Sequence, residues 1–181
     1  MTQYHMGINL GHERSVAIVR EGEIQVAIEQ ERLDRQKYSL GYLLQSPGVA
    51  AQIQPPFEAI RYCLDTCGIA MSDLATITAN MPGHDYAPEI LRRVFPSEIA
   101  DKTLKIPSHH LAHAYSAYWN SGFEDALILV TDASGSTSPD HRTESYSLYE
   151  GHGQTITTLH SETVAAHLAG LSTLGFIYEY V

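Results

Sequence analysis

The strongest indication of the architecture is Gly7-Ile8-Asn9-Leu10-Gly11-His12, which is followed by Ser15-Val16-Ala17-Ile18-Val19 and Ile24-Gln25-Val26-Ala27-Ile28. The first segment predicts a strand that runs into a tight loop. The other two predict a β-hairpin, because the pair Glu21-Gly22 between them is favoured in two-residue hairpin turns. The chain therefore begins with three consecutive strands.

A second copy of this pattern begins near residue 124. The segment Ala126-Leu127-Ile128-Leu129-Val130-Thr131 predicts an apolar strand, and Asp132 follows it in front of the small-residue loop Ala133-Ser134-Gly135-Ser136-Thr137. Residues 146–159 predict another hairpin around the turn Gly151-His152-Gly153. Glycine lets such loops bring backbone N–H groups close to phosphate oxygens, so we expect two similar domains with a nucleotide cleft between them.

The segment between the two copies contains both helical and strand patterns. Residues 57–67 predict an amphipathic helix that ends at Gly68, and a shorter helix carries Ile90. Residues 75–79 and 104–106 predict strands. These elements complete the first domain.

The composition indicates an acidic globular protein. The 181 residues are 44% hydrophobic and include 21 acidic and 11 basic residues, which gives a net charge of −10. This balance argues against a nucleic-acid partner and against an anionic membrane surface. No apolar run reaches membrane-spanning length and no leader pattern is present, so we expect a cytoplasmic protein. Cys63 and Cys67 have neither a disulfide nor a metal-site spacing, and we expect reduced thiols.

The candidate chemistry lies in Ser108-His109-His110-Leu111-Ala112-His113. Ser108 is a favoured N-cap residue, and the spacing of His109 and His113 directs both imidazoles to one face of a helix. Asp132, at the end of the second apolar strand, could supply an oxygen ligand. Two imidazoles and one carboxylate suit a divalent first-row metal such as iron, zinc or manganese. A histidine pair is also common on surfaces and in satisfied cores, and His110 is either a bystander or a supporting group.

The sequence ends in Leu174-Gly175-Phe176-Ile177-Tyr178-Glu179-Tyr180-Val181. An exposed terminus is usually polar, so this apolar and aromatic ending indicates that the second copy is incomplete. We therefore expect the chain to be a fragment that contains one whole domain and the first part of another.

Four segments together resemble a known enzyme family. They are Gly7-Ile8-Asn9-Leu10-Gly11-His12, Glu29-Gln30-Glu31-Arg32-Leu33-Asp34-Arg35-Gln36-Lys37, His109-His110-Leu111-Ala112-His113-Ala114-Tyr115-Ser116-Ala117 and Asp132-Ala133-Ser134-Gly135-Ser136. Their order and surroundings are similar to those in the O-carbamoyltransferases of antibiotic and nodulation-factor biosynthesis. The resemblance extends from the N-terminus to the last residue.

The resemblance implies an α/β fold of the actin-like ATPase and sugar-kinase type, which is ribonuclease H-like with a mixed sheet and is related to the tRNA threonylcarbamoyl transferase. Residues 1–122 would form the first, complete ribonuclease H-like subdomain. Residues 123–181 would form the start of a second subdomain, which is truncated. A YrdC-like C-terminal domain would be absent from this chain.

The resemblance also implies an activity. Family members make carbamoyl adenylate from carbamoyl phosphate and ATP, and then transfer the carbamoyl group to an acceptor hydroxyl of a sugar or natural product. His109, His113 and Asp132 fall on the family's metal ligands, for which iron is the first expectation, while a further aspartate ligand has no counterpart here. His12 is the expected catalytic residue, as a phosphate contact or a general base. The nucleotide-binding residues expected from the two loops are Asn9, Gly11, Ser134 and Gly135.

Two alternative hypotheses remain. A sugar kinase or actin-like ATPase would use the loops for ATP and magnesium, and its histidines would be structural because magnesium prefers oxygen ligands. A non-catalytic metal-binding module is the second alternative, since we expect a truncated chain to be inactive alone. The predicted partners of the complete enzyme are carbamoyl phosphate, ATP and a hydroxylated acceptor. The sequence identifies neither that acceptor nor the oligomeric state.

Overall fold

The computed structural model describes residues 3–39, 54–81 and 87–168 of the chain. By contacts the chain divides into two compact units, Met1–Met81 with Asp85–Lys105 and Pro82–His84 with Ile106–Val181. The helix that carries His109 and His113, called the histidine helix below, belongs to the second unit. The domain boundary expected between residues 122 and 123 stays a prediction. The apolar segment 174–181 lies outside the described residues. Among the described helices, none has the length and apolar character needed to cross a membrane.

The described part of the first unit is a mixed α/β arrangement. Its elements are β1 (Tyr4–Asn9), β2 (Ser15–Arg20), β3 (Glu23–Glu29), α1 (Glu31–Asp34), α2 (Phe57–Cys67), β4 (Leu74–Asn80), α3 (Ala87–Val94), α4 (Ser97–Ala100) and β5 (Thr103–Lys105). The strands form one sheet with the order β3-β2-β1-β4-β5. β1, β2 and β3 are antiparallel neighbours, whereas β4 is parallel to both β1 and β5. The predicted mixed sheet is therefore confirmed.

The core of the first unit follows from the apolar residues of its strands and of α2. Met6, Ile8 and Ile18 are at most 2% exposed, and Ala59 and Cys63 of α2 are fully buried against the sheet. Both cysteines are free, with Cys63 buried and Cys67 partly buried. Burial raises the pKa of the Cys63 thiol to about 11, which keeps it protonated and unreactive at neutral pH.

The hairpin turn at Glu21-Gly22 and the helix end at Gly68 have the backbone geometry that the sequence predicts. Glu21 and Gly22 connect β2 and β3 with φ angles of 53° and 82°, the left-handed conformation that a two-residue hairpin turn of this type requires. Gly68 ends α2 with a φ of 65°, and its N–H donates to the carbonyl groups of Leu64 and Asp65. The hairpin and the helix end are both confirmed.

In its described part, the second unit contains one α-helix, which packs on a three-stranded sheet. Its elements are α5 (His109–Ser121), β6 (Asp125–Thr131), β7 (Arg142–His152) and β8 (Thr155–Ala165), and its strands are antiparallel in the order β6-β7-β8. Ala114 and Tyr118 of α5 pack against Ile128, Val130 and Tyr149. Each unit thus has three consecutive antiparallel strands, and the predicted repetition is confirmed.

The second hairpin turns later than predicted. β7 continues through Gly151 and His152, so the turn begins at Gly153, whose φ is 57°. Gly151 is required for another reason, because a Cβ atom there would lie 2.6 Å from the ring of Tyr118. The prediction that Gly151 and His152 belong to the turn was wrong, because both residues continue the pairing of β7 with β8.

Candidate metal centre

Helix α5 positions two imidazoles at its N-terminal end. Ser108 has an extended backbone, and its hydroxyl oxygen accepts a hydrogen bond from the N–H of Leu111 at 3.1 Å, so the helix begins at His109. One helical turn separates His109 from His113, and their Nε2 atoms lie 3.0 Å apart. The predicted cap is confirmed, and so is the prediction that both imidazoles lie on one face.

Strand β6 brings a carboxylate to these imidazoles. Ile128 and Val130 face α5, and Asp132 follows directly after the strand. The Oδ2 atom of Asp132 lies 2.9 Å from the Nε2 of His109 and 3.6 Å from the Nε2 of His113. These three residues offer one donor atom each within 4.8 Å of one another, and all three belong to the second unit.

The spacing of the three donor atoms fits a single metal ion. Donors bound at about 2.1 Å with bond angles between tetrahedral and octahedral values lie about 3.0–3.4 Å apart. The separations of 2.9, 3.0 and 3.6 Å lie close to this range. Nitrogen and carboxylate oxygen are also the donor types that zinc, iron and manganese accept.

Hydrogen bonding alone satisfies this arrangement poorly. Each neutral imidazole nitrogen carries either one proton or one lone pair. If His109 Nε2–H donates to Asp132, it cannot accept a proton from His113, and if it accepts from His113, its lone pair faces the carboxylate at 2.9 Å. A cation at the centre would remove this conflict, because all three atoms could then present lone pairs.

The negative charge of Asp132 favours cation binding. Burial raises the pKa of Asp132, but the nearby imidazoles of His109 and His113 and the hydrogen bond from the Ala133 N–H outweigh it and hold the pKa well below its ordinary value. Asp132 is therefore ionised throughout the physiological range. The nearby Asp132 carboxylate raises the pKa of His113 above its ordinary value, although burial opposes the shift.

Metal affinity is expected to fall with decreasing pH. A proton on His113 must leave before its nitrogen can bind a metal, and the raised pKa of His113 lets protons compete at a higher pH than for an ordinary imidazole. We expect the apparent Kd for Co²⁺ to rise about tenfold per pH unit below the pKa of His113 and to level off above it. Titrations between about pH 5.5 and 8.5 measure this slope. A pH-independent Kd would contradict the assignment of His113 as a ligand.

His110 lies beside the centre without belonging to the three-residue group. Its side chain is fully buried, and its Nδ1 lies 2.8 Å from the Ser147 hydroxyl. Its Nε2 has no hydrogen-bond partner among the described residues and faces Gly135. Burial lowers the pKa of this imidazole, although the carboxylates of Glu144 and Asp132 oppose the shift. His110 is thus fully buried, and its role as a supporting group stays a prediction.

The loop after Asp132 is held by strand β7. The Gly135 N–H donates to the backbone carbonyl of Glu144 at 3.0 Å, and the Ser136 N–H donates to its carboxylate at 2.8 Å. Ser134 has no hydrogen bond within the part of the chain that the structure describes. Ser134 and Gly135 are the two residues predicted to contact nucleotide here. The N–H of Gly135 already donates a hydrogen bond within the protein, to Glu144. The contacts of Glu144 could not be predicted from the sequence, because Glu144 is one of several polar residues on a strand whose residues alternate between buried and more exposed positions.

The loop of the first unit is closed by its own asparagine. The Asn9 side chain donates to the carbonyls of His12 and Glu13, and its oxygen accepts from the Gly11 N–H at 3.0 Å. The His12 imidazole is exposed and lies 3.2 Å from the Glu13 carboxylate. The roles of Asn9, Gly11 and His12 stay predictions, and these residues belong to a different unit from the histidine pair.

Comparison with known proteins connects the chain to two curated relatives. No family model matches it. It is 29% identical over 148 residues to the nodulation protein NolNO of Sinorhizobium fredii, an alignment that covers 68% of this chain and 20% of that protein. It is 24% identical over 205 residues to the uncharacterized protein sll1178 of Synechocystis, which covers 92% of this chain and 30% of the relative. The chain thus spans between a fifth and a third of the length of these relatives.

A solved structure matches the fold. YeaZ from Pseudomonas aeruginosa superimposes with a TM-score of 0.52 over 90% of this chain and 68% of that chain, with 14% sequence identity. The mixed sheet, its strand order and this similarity confirm the predicted α/β fold of the ribonuclease H-like, actin-like ATPase type. At this level of identity the similarity concerns the fold alone.

Proposed function

We propose that this chain is part of an ATP-dependent O-carbamoyltransferase whose metal is held by His109, His113 and Asp132. The observation that carries the proposal is the convergence of these three donor atoms within 4.8 Å. They come from the histidine segment and the Asp132 segment on which the family resemblance rests. The alignment with a nodulation protein supports the same family.

In the proposed reaction, carbamoyl phosphate, water and ATP give carbamoyl adenylate, phosphate and pyrophosphate. The carbamoyl group then passes to an acceptor hydroxyl, which loses its proton as AMP leaves. The transition states of both steps place negative charge on carbamoyl and phosphate oxygens, and a bound iron, zinc or manganese ion would stabilise that charge. Hydroxylated small molecules are the proposed acceptors.

The chain's own residues have distinct proposed roles. Asp132 stays ionised and, with the two imidazoles, holds the metal. Ser134 is the better candidate than Gly135 for contact with a phosphate oxygen, because the Gly135 N–H already donates to Glu144. In the first unit, His12 is proposed to accept the proton of the acceptor hydroxyl or to contact phosphate, since its imidazole is exposed.

A coupled assay tests this function. The protein translated from the whole reading frame is expected to release pyrophosphate from ATP only when carbamoyl phosphate is present. His113→Ala is expected to lower the rate by about 100-fold or more, because it removes a ligand of the group that stabilises developing charge. The control is His152→Ala, whose imidazole is 80% exposed and pairs with Asp125. The 181-residue chain alone is expected to bind metal without turnover.

Two outcomes would favour the alternatives. ATP consumption that does not require carbamoyl phosphate would indicate a kinase or actin-like ATPase and contradict carbamoyl transfer. Metal binding without any ATP consumption by the protein from the whole reading frame would indicate a non-catalytic metal-binding module.

A further inference from the structure

We propose that Glu144 is a positioning residue of the metal centre, which fixes the start of the histidine helix against the loop that carries Asp132. This inference rests on the proposed metal site and assigns it a supporting residue. Glu144 is part-buried on β7, in the same unit as the three ligand candidates.

The two carboxylate oxygens of Glu144 bind two different segments. Its Oε1 accepts a hydrogen bond from the Ser108 hydroxyl at 2.6 Å, and Ser108 directly precedes His109. Its Oε2 accepts from the Ser136 N–H at 2.8 Å, at the end of the loop that begins with Asp132. One side chain thus joins the segments that supply all three ligand candidates.

Backbone contacts strengthen the same junction. The Glu144 carbonyl accepts from the Gly135 N–H at 3.0 Å, and its N–H donates to the Ser136 carbonyl at 3.1 Å. The Ser136 hydroxyl in turn accepts from the His109 N–H at 2.8 Å. Ser136 therefore links the loop both to β7 and to the first residue of the helix.

The strand itself is irregular at this point. The pairing of β7 with β8 shifts register between Glu144 and Tyr146, so Ser145 is an extra residue in the strand. Such bulges redirect side chains and are frequent beside functional sites. Charged hydrogen bonds of this kind orient metal ligands, and loss of a supporting partner typically lowers metal affinity by about 10–100-fold.

Co²⁺ titration of the 181-residue chain tests the proposal, with Kd and the visible ligand-field spectrum as readouts. Glu144→Ala is expected to weaken binding by about 10–100-fold and to change the spectrum, because Asp132 loses its fixed position. Glu144→Gln is expected to stay within about threefold of the wild type, since its amide can still accept from Ser136 and donate to Ser108. The matched control is Glu150→Ala, an exposed glutamate on the same strand.

A second variant separates geometry from charge and covers the case in which Glu144→Ala fails to fold. Glu144→Asp keeps the charge, but its shorter side chain cannot reach both partners, so we expect a loss of Co²⁺ affinity similar to that of the alanine variant. Wild-type affinity and an unchanged spectrum in Glu144→Asp or in a folded Glu144→Ala would overturn the proposal. If the wild-type chain itself binds no Co²⁺, the proposed metal centre fails, and Glu144 has no centre to position.

Discussion

His113→Ala is expected to weaken the binding of Co²⁺ or Zn²⁺ by about 100-fold or more, which corresponds to about 2.7 kcal/mol. The substitution removes one of three converging donor atoms and leaves only His109 and Asp132. The side chain of His113 is 53% exposed, so its removal leaves no large cavity and the protein should stay folded. Isothermal titration calorimetry measures the affinity, and circular dichroism checks the fold.

The control for this variant is again His152→Ala. His152 is exposed and contacts the carboxylate of Asp125, but no third donor joins this pair among the described residues. We expect this variant to bind metal as the wild type does. Equal affinities for His113→Ala and the wild type would remove His113 from the ligand set.

Gly135→Ala is expected to destabilise the protein by about 1–3 kcal/mol and to weaken Co²⁺ binding by about 10–100-fold. The new methyl carbon would lie 2.6 Å from the Cβ of Glu144 and 2.7 Å from the Nε2 of His110. Both neighbours are too close, and His110 is fully buried, so the loop or its support must move. Thermal unfolding and Co²⁺ titration measure the two effects.

Gly7→Ala is the matched control for the glycine substitution. A Cβ atom at Gly7 meets no other atom within 4 Å, and its φ lies outside the left-handed region. We expect this variant to be as stable as the wild type or slightly more so, because alanine restricts the unfolded chain. A Gly135→Ala protein with unchanged stability and Co²⁺ affinity would contradict the packing of the loop on Glu144 and His110.

The glycines illustrate how far local patterns reach. Gly22 and Gly68 were predictable because a two-residue turn and a helix end each require a left-handed residue at a fixed place in the local sequence. Gly135 and Gly151 are required by side chains of Glu144, His110 and Tyr118 that approach them from distant parts of the chain. No local pattern contains that information.

The candidate site divides in the same way. The spacing of His109 and His113 and the cap at Ser108 depend on the 3.6-residue period and the free N–H groups of one helix, so they could be predicted from neighbouring residues. The 2.9 Å approach of Asp132, the burial of His110 and the two contacts of the Glu144 carboxylate depend on how α5 packs on β6 and β7. Apart from the contact between Ser136 and Glu144, which are 8 positions apart, these contacts join residues 23–37 positions apart. Their geometry arises from close packing of the second unit and not from any local preference.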